Sequence, residues 1–136
     1  MAHSDTFAIS KTVRHSPLRH TADGLLLERI KDAVLGKHYE LSLVFVGDTR
    51  SRALNRAYRS KDKPANVLSF PLSHDAGEIF INPHRVEKEA SRFDHSPRTF
   101  LIFLFIHGLL HLKGHSHGST MEKTEQRLLK RFLRVS

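Results

Sequence analysis

The sequence predicts an α+β fold, a small mixed sheet packed with about five helices. Three observations predict it. Apolar residues alternate in some stretches and recur at helical spacing in others, in the order β-α-β-α-β-β-α-α-α, which is four strands and five helices. Two strand-like runs lie close enough to form a hairpin, whereas the others are separated by helical segments. One run, Phe100 to Leu110, is apolar on almost every side, as a helix buried at the centre of the molecule must be. At 136 residues the chain is expected to form one domain, residues 1–136, with a single core.

Each element has a local reason. Thr6 to Val13 alternates and predicts a short strand. Pro17 to Leu35 predicts a helix with Leu26, Ile30, Ala33 and Val34 on one face and Gly36 at its end. Leu41 to Val46 predicts the second strand, closed by Gly47-Asp48, with Asp48 placed to cap a helix over Thr49 to Tyr58. That helix is expected to bury Ala53, Leu54 and Ala57 while its arginines face water. Arg59 to Asn66 reads as a charged loop. Val67 to Pro71 predicts a third strand, which Pro71 stops or confines to a sheet edge. Turn residues from Ser73 to Gly77 lead into a fourth strand, Glu78 to Ile81, paired as a hairpin. Asn82-Pro83 opens a helix toward Arg92, and Ser96-Pro97 opens the apolar helix. Ser119-x-x-Glu122 is a capping box, after which Met121, Leu128, Leu129, Phe132 and Leu133 form a buried stripe.

Composition narrows the function. There is no cysteine, which excludes disulfides and thiolate metal sites. Met1 to Thr6 is polar and lacks the apolar core of a signal peptide. Phe100 to Leu112 is too short to span a bilayer. A cytoplasmic protein with no membrane association is expected. Lys and Arg exceed Asp and Glu by 22 to 14, a formal charge of +8, which points to an anionic partner, nucleic acid before an acidic membrane surface. Arg50, Arg52, Arg56, Arg59, Lys61 and Lys63 stand against Asp62 alone, and the last helix adds a second basic group.

The apolar helix ends in His107-Gly108-Leu109-Leu110-His111-Leu112-Lys113-Gly114-His115-Ser116-His117. His107 and His111 are four apart, so their rings share a helix face. Gly114 supplies the left-handed residue that ends the helix and returns the chain toward those rings. His115 or His117 then provides a third imidazole. Three histidine ligands with a fourth position open are the layout of a catalytic zinc.

The pattern His107-Gly108-x-Leu110-His111-Leu112-x-Gly114-x-x-His117 resembles the signature of the YbeY family of metal-dependent endoribonucleases. Leu54-Asn55-x-x-Tyr58-Arg59-x-Lys61-Asp62-x-Pro64-x-Asn66-Val67-Leu68-Ser69-Phe70-Pro71 and Gly77-Glu78-Ile79-Phe80-Ile81 are similar to that family's preceding blocks, in the same order. The resemblance implies zinc on His107, His111 and His117, a functional Arg59, and a four-stranded fold with a metalloprotease-like site layout. It further implies cleavage of single-stranded RNA in the 3′ maturation of small-subunit ribosomal RNA and in ribosome quality control. The partners would be ribosomal RNA and the small ribosomal subunit, and no DNA is expected. The chain departs from the family pattern at His115-Ser116, where an aromatic and an Asp commonly precede the last His, and at Ala65, where Thr is common.

The residues themselves support this chemistry. Gly108 stands where His-Glu-x-x-His peptidases place their general base, which argues against peptide hydrolysis. The guanidinium of Arg59 matches a phosphate and can stabilise charge developing on it. Asp62 and Asn66 are suited to orient the adjoining loop, and Tyr58 and Phe70 offer faces to unpaired bases, with core packing the simpler role for Phe70. A non-catalytic ribosome-assembly factor with a structural metal, and a metal-dependent hydrolase of another substrate, are the competing readings.

Overall fold

The computed structural model describes residues 5–13 and 21–133. Its strands are β1 (Phe7–Lys11), β2 (Glu40–Phe45), β3 (Val67–Ser73) and β4 (Ala76–Ile81). Its helices are α1 (Thr21–Leu35), α2 (Asp48–Arg59), α3 (Pro83–Glu89), α4 (Pro97–Leu112) and α5 (Ser119–Leu133), with a 3-10 turn, Ala90–Phe93, after α3. Element order and fold class are those the sequence predicts. The predicted helical residues 17–20 lie outside the described residues.

The four strands form one mixed sheet in the order β1-β2-β4-β3. β1, β2 and β4 run parallel, and β3 returns antiparallel to β4 as a hairpin. Pro71 lies on the edge strand, where a missing N–H costs no ladder bond, and the register slips between Pro71 and Ser73. Strand alternation sends side chains to two cores. Leu41, Leu43, Phe45, Ile79 and Ile81 meet the main core, built with Leu27 and Ile30 of α1, the buried face of α4, and Met121 and Leu129 of α5. Leu68 and Phe80 face the other side, where Phe70 and Leu54 pack on them.

Helix α4 is the central element and packs on β3, β4, α1 and α5. Its start is set by Ser96, whose Oγ accepts from the Thr99 N–H at 3.2 Å, with Pro97 in the first turn. Nine of its sixteen residues are buried, which explains a sequence without a polar face. Asn82 caps α3 through the N–H groups of His84 and Arg85.

Two predicted helix faces are corrected. On α1 the inward residues are Leu27, Ile30, Lys31 and Val34, while Leu26 is half-buried and Ala33 exposed. Lys31 is fully buried because its ammonium donates to Thr6 Oγ1 (3.2 Å), Asp32 Oδ1 (3.3 Å) and the Lys37 carbonyl (3.3 Å). On α2, Ala53 and Ala57 are exposed and the buried residues are Ser51 and Asn55. Ser51 Oγ donates to the Ala65 carbonyl and accepts from its N–H, both at 2.7 Å, and Asn55 Nδ2 donates to the Lys63 carbonyl at 2.8 Å. The inner face of α2 is polar because it pairs the backbone of the next loop. The residue preceding α2 is Gly47. Asp48 lies in the first turn and accepts from Asn82 Nδ2 (2.8 Å), with its second oxygen 2.7 Å from His84 Nδ1.

Candidate metal centre

Helix α4 ends as the sequence requires. The His115 N–H donates to the Leu110 carbonyl and the Gly114 N–H to the His111 carbonyl, the paired bonds of a Schellman turn. Gly114 occupies the left-handed position at φ +106°. The chain reverses there and delivers His117 to the two helical histidines. One ring nitrogen from each of His107, His111 and His117 lies within 4.8 Å of the others. His115 is not part of this cluster; its contribution is its carbonyl oxygen, 3.1 Å from His111 Nδ1. Of His115 and His117, it is His117 whose ring lies with those of His107 and His111.

The hydrogen bonds around the cluster decide which nitrogens are available. A carbonyl only accepts, so His111 donates from Nδ1 to His115 and carries its lone pair on Nε2. His107 Nδ1 lies 2.5 Å from Glu125 Oε2, a buried carboxylate on α5, and donates to it in the same way. With both Nδ1 atoms turned to these acceptors, the two Nε2 atoms face each other at 3.1 Å. A shared cation is the chemical solution to two facing lone pairs. Tetrahedral coordination with metal–nitrogen bonds of about 2.0–2.1 Å separates its nitrogens by roughly 3.3 Å. The donor set therefore fits a divalent ion. Burial, together with the His107 and His117 rings, holds the His111 pKa below its ordinary value, which keeps that ring neutral and its lone pair free.

Glu125 is the residue that sequence reasoning missed. Its position, four after Met121 and three before Leu128, lies on the buried stripe of α5, and that spacing was the available signal. Its carboxylate is not a solvated surface charge; it fixes the tautomer and orientation of His107.

Arg59 is the last residue of α2 rather than a loop residue, and Ser60 follows it in a left-handed conformation at φ 57°. Arg59 lines a cleft of about 400 Å³ whose other walls include His111, Gly108, Tyr58, Ser69 and Phe70. The cleft crosses the edge strand β3, with α4 on one side and the end of α2 on the other. Tyr58 is exposed and its ring centroid lies 4.9 Å from that of Phe70, which in turn meets Phe80 at 5.8 Å. Phe70 therefore both packs and lines the cleft. Asp62 accepts from Arg52 at 2.7 and 3.0 Å, and Asn66 Nδ2 donates to Glu89 Oε1 at 2.9 Å. These bonds hold the loop after Arg59, as the sequence suggests. The residues lining the cleft include no carboxylate. At Gly108 a Cβ would sit 3.0 Å from Ile79 Cδ1, so the helix approaches the sheet too closely for the glutamate of a peptidase.

Fold and site together define an α+β protein with a three-histidine cluster suited to a divalent cation, set beside a cleft lined by an arginine and two aromatic rings. Comparison with known proteins gives the family. The family model described as Endoribonuclease YbeY matches residues 6–133. The chain is 35% identical over 121 residues to the endoribonuclease YbeY of Neorickettsia sennetsu, covering 81% of this chain and 85% of that one. It is 37% identical over 126 residues to the endoribonuclease YbeY of Allorhizobium ampelinum, covering 82% and 74% of the two chains. The solution structure of TM1509 from Thermotoga maritima superposes with a TM-score of 0.69 at 27% identity, over 94% of this chain and 89% of that one. The chain belongs to the YbeY endoribonuclease family.

Proposed function

We propose that this protein is a zinc-dependent endoribonuclease that cleaves single-stranded RNA, acting in the 3′ maturation of small-subunit ribosomal RNA and in ribosome quality control. One observation carries the enzymatic reading. Two imidazoles, oriented from behind by Glu125 and by the His115 carbonyl, converge with His117 at one point, and Arg59 shares the adjoining cleft. His107, His111 and His117 would hold the ion. When bound, zinc supplies a Lewis acid for the phosphoryl group and shifts the pKa of a water toward roughly 7.

The chain's own residues do the rest. Arg59 pairs with the non-bridging oxygens of the scissile phosphate and takes up the charge that grows there. Tyr58 and Phe70 present ring faces to bases that are not already stacked in a duplex, which favours a single strand. Glu125 and the His115 carbonyl keep both helical rings in the tautomer that donates outward. The family name, the cationic surface and a cleft without a carboxylate base support RNA over a peptide substrate.

The test is metal analysis of the purified protein paired with cleavage of a single-stranded RNA, with and without chelator. One equivalent of zinc and chelator-sensitive cleavage are expected. Cleavage at an undiminished rate in metal-free protein refutes the reading. Stoichiometric zinc with no cleavage, together with association with the small ribosomal subunit, points instead to an assembly factor. Arg59→Glu is expected to keep its metal and fold and to lose cleavage by at least roughly a hundredfold.

A further inference from the structure

A second concave site lies behind the metal centre, where α1, the end of α4 and α5 meet. Its floor is apolar, formed by Val34, Leu110 and Leu128, and its rim carries Lys113, Arg127 and Arg131. No carboxylate is among its lining residues. Lys113 spans from the end of α4 to α1, where its ammonium donates to the Val34 carbonyl at 3.0 Å. A carbonyl holds the ammonium in place without neutralising it. Arg131 lies over the Phe132 ring at 4.9 Å, which restricts its guanidinium. Arg127, one helical turn before Arg131, has no hydrogen bond or ion pair among the described residues. Three cations therefore line one hollow, and none of them has a carboxylate partner among the described residues. Arg52, Arg85 and Arg98, by contrast, are paired with Asp62, Glu89 and Asp23.

We infer that this pocket binds a backbone phosphate of the RNA substrate at a point removed from the cleaved bond. The proposal rests on the RNA-cleaving reading above and adds to it a second anchoring point. The turn from Lys113 to His117 separates the two sites: its last residue faces the metal centre and its first reaches into the pocket. A strand laid across that turn can leave one phosphate beside Arg59 and the ion and seat another among Lys113, Arg127 and Arg131. The apolar floor suits the ribose and the carbon edges of the backbone. Such a site reads charge and spacing, not base identity, so it sets the length of strand that binds well.

The experiment compares two probes, a 20-nucleotide unstructured RNA and a trinucleotide of the same composition, using the zinc-loaded full chain. Arg127→Glu/Arg131→Glu is the pocket variant, and both positions are exposed on α5. Lys88→Glu/Arg92→Glu carries the same change of charge at exposed positions outside the pocket. Binding is read by fluorescence anisotropy in a cleavage-dead Arg59→Ala background, and KM and kcat are read without that change. For the 20-mer the pocket variant is expected to raise Kd and KM at least tenfold with kcat unchanged. The slope of log Kd against log salt should fall in magnitude by about 0.7, the value for one phosphate on a single strand. The trinucleotide should bind as before, and Arg127→Lys/Arg131→Lys should restore most of the affinity. An unchanged slope overturns the proposal, as does an equal loss for the trinucleotide or an equal loss in the Lys88→Glu/Arg92→Glu control. Wild-type protein that binds the 20-mer with the expected slope but never cuts it refutes the cleavage reading alone, because the binding arm does not depend on catalysis.

Discussion

Replacing Glu125 by Gln tests the logic of the metal centre without touching a ligand. The carboxylate lies 2.5 Å from His107 Nδ1, and its side chain is 6% exposed, so no water takes its place. An amide of the same shape still accepts through its oxygen, but the bond loses its charge assistance, which roughly halves its strength. Its NH2 group can also turn toward the ring and favour the wrong tautomer. Removing an outer partner of a ligating histidine typically lowers metal affinity 10–100-fold, or about 1.4–2.7 kcal/mol at 1.36 kcal/mol per decade. The assay is competition for zinc against a chromophoric chelator at neutral pH, with thermal melts of the metal-free protein as the structural control. Glu125→Leu removes the acceptor altogether, so zinc affinity should fall at least as far as in the Gln variant, and the metal-free melt separates that loss from unfolding. Wild-type affinity in both variants would refute the reasoning and reduce Glu125 to a packed side chain.

Other expectations follow from the same structure. Gly108→Ala should destabilise the fold by about 1 kcal/mol in urea denaturation, because its Cβ would meet Ile79 Cδ1 at 3.0 Å and the fully buried Ile79 side chain must give way. Ser51→Ala leaves the Ala65 N–H and carbonyl without their partner and should cost about 1–3 kcal/mol by the same measurement, with a faster proteolytic nick in residues 60–66. For Asp48, burial raises the pKa but the bonds from Asn82 and His84 and the His84 and Arg85 charges outweigh it, so the carboxyl titrates below its ordinary value of 3.8. A depressed folded pKa contributes stability that is complete above the unfolded value and disappears as pH falls from there through the folded one. Asp48→Asn should therefore lower the melting temperature at neutral pH by more than it does in strong acid. An equal drop at both would assign the effect to packing.

The legible parts of this molecule are those governed by local chemistry. Ser96-Pro97 and Asn82-Pro83 start helices because their hydrogen bonds are made within one turn. His107 and His111 share a face by helix geometry, and Gly114 turns the chain because a left-handed residue is required there. The parts that escaped depend on partners remote in sequence. Ser51 and Asn55 face inward because they bind the loop carbonyls of Ala65 and Lys63, which no apolar periodicity reveals. Lys31 is buried on α1 because Thr6 and the Lys37 carbonyl meet its ammonium. Glu125 looked like one more charge in a basic helix, since its partner, His107, belongs to a different element. Arg59 could be singled out from sequence, but its position in one cleft with His111 is a property of the assembled fold.

The three imidazoles belong to a single uninterrupted segment, whereas Arg59 arrives from the other side of the sheet's edge strand. Closing a loop as short as the one from His107 to His117 costs little chain entropy, so on the ligation proposed above the segment can chelate before the strands find their register. Ion capture would then be an early kinetic event and cleft assembly a late one. A refolding chain would pass through a species that already holds its metal but cannot yet turn over, and metal supplied at the first instant of refolding would speed the return of activity more than metal added afterwards.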